Sequence, residues 1–194
     1  MTIFNSKKAN YTIYGPGEEP TSIYPGDFFL LRNTTFWSKI VLFGEWIRYH
    51  GNNRKYSRWS HCGLFLDKKG TIIEAIGAGV VVDNISKYKD LTYYIVHTKL
   101  SAPNKAQTVS AAKSFIKDKY GWVSDVSIGF HFLTGIRLQV TMNDTINCSG
   151  LVAIALWAGG IIFDSTPQLF APADLAVSFD VPSPVKVKKV KKVK

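Results

Sequence analysis

The chain has 194 residues, enough for one domain whose core needs no disulfide or metal staple. Hydrophobic residues make up 46% and aromatic residues 13%, which excludes a disordered or low-complexity chain. The formal charge of +10 suggests a nucleic-acid binder until it is divided: the last nine residues, KVKKVKKVK, hold six of the 24 basic residues and no acid, leaving 18 against 14 elsewhere, a net +4.

Taken in order, residues 1–25 mix polar residues with Gly15, Pro16, Gly17, Pro20 and Pro25 and read as an N-terminal arm with turns rather than a packed element. A domain is expected over 26–180. It begins with Phe28-Phe29-Leu30-Leu31, a short apolar run suited to a buried strand, followed by a helix expected from Phe36 to His50 behind a Thr34 or Thr35 cap. A basic loop then leads into a strand over Trp59 to Leu66. Asp67-Lys68-Lys69-Gly70 has turn chemistry, so Thr71 to Ile76 is expected to return as the second arm of a hairpin. Further strands are expected at Gly79 to Val82 and Tyr93 to His97, and a helix at Ala106 to Lys119. The apolar stretch 123–142 has no clear period. Asn147-Cys148-Ser149 opens a strongly helical run closed by Gly159-Gly160. Strands clustered in the first half without regular βα alternation argue for an α+β fold.

Val181-Pro182-Ser183-Pro184 does not continue regular structure easily, so 181–194 reads as a flexible cationic tail. Lys186, Lys188, Lys189, Lys191, Lys192 and Lys194 would attract an anionic polymer, whether nucleic acid, anionic lipid or acidic wall polymer, or serve only to keep the protein soluble. No apolar run is long enough for a signal-peptide core or a membrane span, and cytoplasmic synthesis is expected.

The two cysteines, Cys62 and Cys148, lie in segments of different character, which argues against a disulfide framework. Cys148 falls in the first turn of a helix, where unpaired amides and the helix dipole favour a thiolate over a thiol. His61 heads an apolar strand. If the hairpin turn centres on Lys68-Lys69, Gly63 faces Glu74, and His61 and Glu74 become diagonal neighbours on one face, with backbones about 7–8 Å apart. A glutamate side chain closes that gap, which gives a base, its orienting carboxylate and a candidate nucleophile. On the same register Cys62 points to the other face and reads as packing. His50, His61, His97 and His131 lack metal-ligand spacing, and neither GAGVV nor WAGGI sits in a phosphate-loop context, so no cofactor or metal is expected.

NCSGLVAIALW resembles the nucleophile motif of NlpC-type cysteine peptidases, and PGDFFLL with SHCGLFLDKKGTIIEAIGAGVVV resembles that superfamily's Gly-Asp strand and histidine-bearing strand pair. In ordinary NlpC-type enzymes the cysteine precedes the histidine, whereas here His61 precedes Cys148 by 87 residues. That inversion resembles the circularly permuted branch, which includes the YaeF/YiiX-like proteins and the lecithin retinol acyltransferase family. The resemblance covers about residues 25–176, with the APADLA segment as its closing element. It implies a permuted papain-like domain in which an antiparallel sheet packs on the nucleophile-bearing helix, with Cys148, His61 and Glu74 as catalytic residues. Tyr120, in a Tyr-Gly-Trp string, resembles a tyrosine that lines the site near the oxyanion.

The implied activity is that of a thiol amidohydrolase cleaving peptidoglycan stem peptides through an acyl-enzyme. The permuted order and the apolar segments 36–47 and 123–142 leave open an acyltransferase or lipid amidase acting on N-acyl or ester lipids. A third alternative is an idle binding protein whose tail does the work. Wall-directed chemistry without a leader segment suggests a phage-encoded or virion-associated product. Substitution of Cys148, His61 or Glu74 is expected to leave folding intact, since none removes much apolar volume.

Overall fold

The computed structural model describes residues 10–32, 42, 48–116, 119–120 and 145–184. The helix expected over 36–50, the stretch 123–142 and the tail lysines lie wholly or mostly outside them. The fold is mixed α+β. A six-stranded antiparallel sheet is built from β1 (Tyr11–Tyr14), β2 (Phe28–Leu31), β3 (His61–Phe65), β4 (Thr71–Ile76), β5 (Gly79–Asn84) and β6 (Tyr93–Val96), in the order β1-β6-β2-β3-β4-β5. Around it lie α1 (Ala102–Ser114), α2 (Cys148–Ala158) and α3 (Pro172–Ser178), and a two-residue parallel pair joins β7 (Lys119–Tyr120) to β8 (Thr145–Ile146).

The hairpin of β3 and β4 has the register that its turn residues predict. Leu64 opposes Ile73 and Phe65 opposes Ile72. The turn is held by Asp67, whose carboxylate accepts from the Lys69 amide at 2.7 Å and the Thr71 hydroxyl at 2.7 Å. Alternation along the strands then sorts side chains onto two faces. Phe28, Leu30, Cys62, Leu64, Ile73 and Ala75 share one core with Leu151, Val152, Ala155 and Leu156 of α2. Phe29, Leu31, Phe65, Ile72, Tyr93 and Ile95 form a second core with Ile85 and Tyr88 on the opposite face. Because both faces are covered, β2 is buried along its whole length, which explains its unbroken apolar run.

Three segments differ from the sequence reading. Part of the supposed arm is packed: β1 is an edge strand on β6, with Tyr11 stacked on Tyr94 and Tyr14 on Tyr93 at ring separations of 5.3 and 5.6 Å. The helix expected over 106–119 starts earlier, at Ala102, because Ser101 caps it and Pro103 suits its first turn, and Lys119–Tyr120 are a strand. Finally, the start of the tail is anchored. Val181 is fully buried, its carbonyl accepts from Trp59 Nε1 at 3.2 Å, and the Ser183 amide donates to the Lys55 carbonyl at 2.7 Å.

Asp27, the aspartate of the Gly-Asp strand, is a structural clamp. It is almost fully buried at the start of β2, takes the Thr98 amide at 3.1 Å and lies 2.7 Å from His97 Nδ1. His97 Nε2 in turn meets the Thr12 hydroxyl at 3.1 Å, so one carboxylate ties β2, β6 and β1 together.

Candidate active site

Each residue of Asn147-Cys148-Ser149-Gly150 has a separate task at the start of α2. Asn147 is the N-cap, and its side-chain oxygen accepts from the Gly150 amide at 2.6 Å. A Cβ at Gly150 would lie 2.8 Å from that oxygen, so glycine is what lets the cap close. The Ser149 hydroxyl donates to the Phe170 carbonyl at 2.5 Å and pins the helix end to the loop before α3. Cys148 is left at the first helical position with its thiol against β3.

His61 is the first residue of β3, and its ring links two groups. Nε2 lies 2.6 Å from Glu74 Oε2, which leaves Nδ1 for another partner, and the Cys148 thiol is close enough to act on the His61 pKa. The opposition of Gly63 and Glu74 that follows from the hairpin register makes the first contact possible. A Cβ at Gly63 would lie 2.7 Å from Phe29 Cε1, so the absent side chain leaves space for the Phe29 ring, which meets the imidazole edgewise at 5.9 Å.

Glu74 is fully buried and receives more than the imidazole. Lys87 Nζ lies 2.6 Å from Oε1, and the Tyr88 hydroxyl donates to Oε2 at 2.6 Å. Burial by itself would raise the Glu74 pKa, but the bonds from His61, Lys87 and Tyr88 outweigh it and hold the carboxyl at about 2. Burial and the neighbouring Glu74 push the Tyr88 hydroxyl pKa far above its ordinary value, so it stays a donor.

The same balance sets the histidine and the cysteine. Burial would lower the His61 pKa, yet the bonds to Cys148 and Glu74 raise it to about 9. A hydrogen bond from the Cys62 side chain holds the Cys148 thiol well below its ordinary pKa against the cost of burial, with His61 adding to the effect. Both shifts favour a thiolate beside an imidazolium, an arrangement suited to a nucleophile with a proton donor next to it.

The structure thus brings together Cys148, His61 and Glu74, which the sequence singled out. The backbone of Tyr120 pairs with Ile146, two residues before Cys148, although the Tyr120 side chain lies outside the described residues. Three contributors escaped the sequence reading. Lys87 and Tyr88 reach Glu74 from the 3-10 turn Ile85–Tyr88 after β5, and nothing in the local string ISKY marks that reach. Cys62, read as packing, is a core residue and also touches the Cys148 thiol. Strand alternation held that signal, since the residue after His61 must face the helix-covered side.

Among the described residues no cluster of histidine, cysteine and carboxylates could hold a metal ion, and no helix is long and apolar enough to cross a membrane. No family model matches the chain, and no curated protein matches it.

Proposed function

We propose that the protein is a cysteine-nucleophile hydrolase that cleaves an amide bond through an acyl-enzyme, in a circularly permuted NlpC-type, papain-like domain. The observation that carries this reading is the single imidazole held between a buried carboxylate at 2.6 Å and a thiol at the N-terminus of a helix.

In this reading the Cys148 thiolate attacks the amide carbonyl. The Gly150 amide is taken by Asn147, so in this reading the Cys148 amide at the start of α2 receives the developing oxyanion. The His61 imidazolium gives its proton to the leaving amine, then, as a neutral base, takes one from the water that releases the acyl group. Glu74 keeps the ring oriented and stabilises its charged form. Peptidoglycan stem peptides are the substrate class that the CSGLV string favours.

Incubation with peptidoglycan fragments and, separately, with N-acyl lipids, followed by mass spectrometry, tests the reading. New free amine and carboxylate ends with the wild-type protein, absent with Cys148→Ala, would support it. Transfer of the acyl group to an added acceptor in place of water would make the protein an acyltransferase. No product from either substrate class would favour a binding protein acting through its basic tail.

A further inference from the structure

We propose that Cys62 is a resolving thiol for Cys148: under peroxide the two close into an intramolecular disulfide that caps the reactive sulfur reversibly. The inference goes beyond the amidase reading and does not depend on it, because it concerns the two sulfurs alone.

The placement follows from the fold. Cys62 opposes Leu30 in the β2–β3 register, on the sheet face that α2 covers, and Cys148 stands at the first position of α2 in the same core. The Cys62 side chain and backbone both act on the Cys148 thiol and favour its thiolate, as expected of two residues in contact where α2 packs on β3. Cys62 is fully sealed from solvent, whereas Cys148 keeps a small exposed area. An oxidant therefore meets Cys148 first, and the sulfur nearest to the oxidised product is Cys62. Neither cysteine is in a disulfide.

The chemistry balances with hydrogen peroxide as the oxidant. The Cys148 thiolate attacks one peroxide oxygen, the O–O bond breaks, and the departing hydroxide takes the His61 proton and leaves as water, giving a sulfenic acid. Cys62 then loses its thiol proton and attacks the Cys148 sulfur. The S–O bond breaks, and the second hydroxide leaves as water with that proton. Two thiols lose two electrons, and one peroxide becomes two waters. Without Cys62 the sulfenic acid has no neighbouring thiol and proceeds to the irreversible sulfinic acid.

The full-length protein is treated with hydrogen peroxide at neutral pH, alkylated and digested without reductant, and its peptides are mapped by mass spectrometry. The expected result is loss of both free thiols, a cross-linked peptide joining Cys62 to Cys148, and return of both thiols with dithiothreitol. In Cys62→Ser and Cys62→Ala, Cys148 is expected to accumulate as sulfinic acid that dithiothreitol does not reverse. Wild-type protein that gains two oxygens at Cys148 without the cross-link, or that forms only disulfides between molecules, would overturn the proposal. So would variants as well protected as wild type. Because the wild-type peptide map needs no variant, a variant that fails to fold does not remove the test. Since no substrate is used, an absence of amidase activity has no bearing on the result.

Discussion

Lys87 Nζ sits 2.6 Å from Glu74 Oε1, on the carboxylate oxygen that His61 does not use, and 2.9 Å from Asp83 Oδ2. Burial works against its charge, but Glu74 and Asp83 together raise its pKa, so it remains a cation. The buried carboxylate is thus shared between two positive groups, and each weakens the hold of the other. Replacing Lys87 with Met should concentrate the Glu74 charge on His61 and move the alkaline limb of Cys148 alkylation above pH 9. Stability should fall by about 1–3 kcal/mol as Glu74 loses a donor. Lys87→Arg should restore most of both. An unmoved alkaline limb in Lys87→Met would show that Lys87 is only a structural tie.

Iodoacetamide should label Cys148 and spare Cys62, which is fully buried. The rate should persist well below the pH at which an ordinary thiol loses reactivity, because Cys62 and His61 both favour the thiolate. His61→Ala should raise the midpoint only in part, since the larger contribution comes from Cys62. Preferential labelling of Cys62 in folded protein would contradict the structure of the site.

Glu74→Gln should retain a hydrogen bond to the ring but remove the charge that favours imidazolium, so the alkaline limb should fall below pH 9 and turnover should drop. Glu74→Ala should behave differently from the sequence expectation that folding survives. It leaves the buried Tyr88 hydroxyl without its acceptor, while the exposed Lys87 keeps Asp83, a loss of about 1–3 kcal/mol. Urea denaturation midpoints for the two variants separate lost chemistry from lost structure.

Three groups of the site set how stability depends on pH. The His61 pKa rises from 6.5 unfolded to about 9 folded, so its contribution is complete below pH 6.5 and is lost as pH climbs through about 9. The Glu74 pKa falls from 4.5 to about 2, so its contribution is complete above pH 4.5 and is lost as pH drops toward 2. Cys148 works in the opposite sense, because a thiol held well below its ordinary pKa contributes most at high pH and loses that contribution as pH falls. It offsets the His61 loss, so denaturation midpoints should rise from acid pH to about 6.5 and then hold steady through about 9. In Cys148→Ala that offset is gone, so a decline should appear above pH 6.5, and it should end below pH 9 because one of the two groups that raise the His61 pKa is missing.

Truncation after Pro184 should leave stability unchanged, as the Trp59–Val181 and Ser183–Lys55 bonds remain. Truncation after Asp180 removes the buried Val181 and should cost about 1.5–3 kcal/mol. Any binding of the full chain to an anionic polymer should vanish with the first truncation and weaken steeply with salt. Thermal melts and gel-shift assays read the two effects separately.

The hairpin and the start of α2 were legible in the sequence because each is settled by a few neighbouring residues. Asp67 through Gly70 fix one turn, and Asn147 and Gly150 fix one cap. From these the approach of His61 to Glu74 follows by strand geometry. Tyr11–Tyr14 escaped notice because its strand is defined by pairing with residues 79 to 85 positions away, and its tyrosines find their partners only there. Lys87 and Tyr88 were hidden for a related reason, since a turn between strands has no period from which to read the direction of a side chain. Cys62 was placed on the correct face but credited with too little, because helix contacts cannot be read from one strand.

The Phe29 ring in the space left open at Gly63, with Tyr88 6.0 Å away on another side of the imidazole, also affects the entropy of the site. A histidine at the end of a strand ordinarily samples several rotamers, and each must be frozen out before its nitrogen meets a proton at the right angle. Here that freedom is given up when the sheet forms. A molecule arriving at Cys148 finds the ring already aligned, so the ordering cost falls once on folding instead of on every encounter.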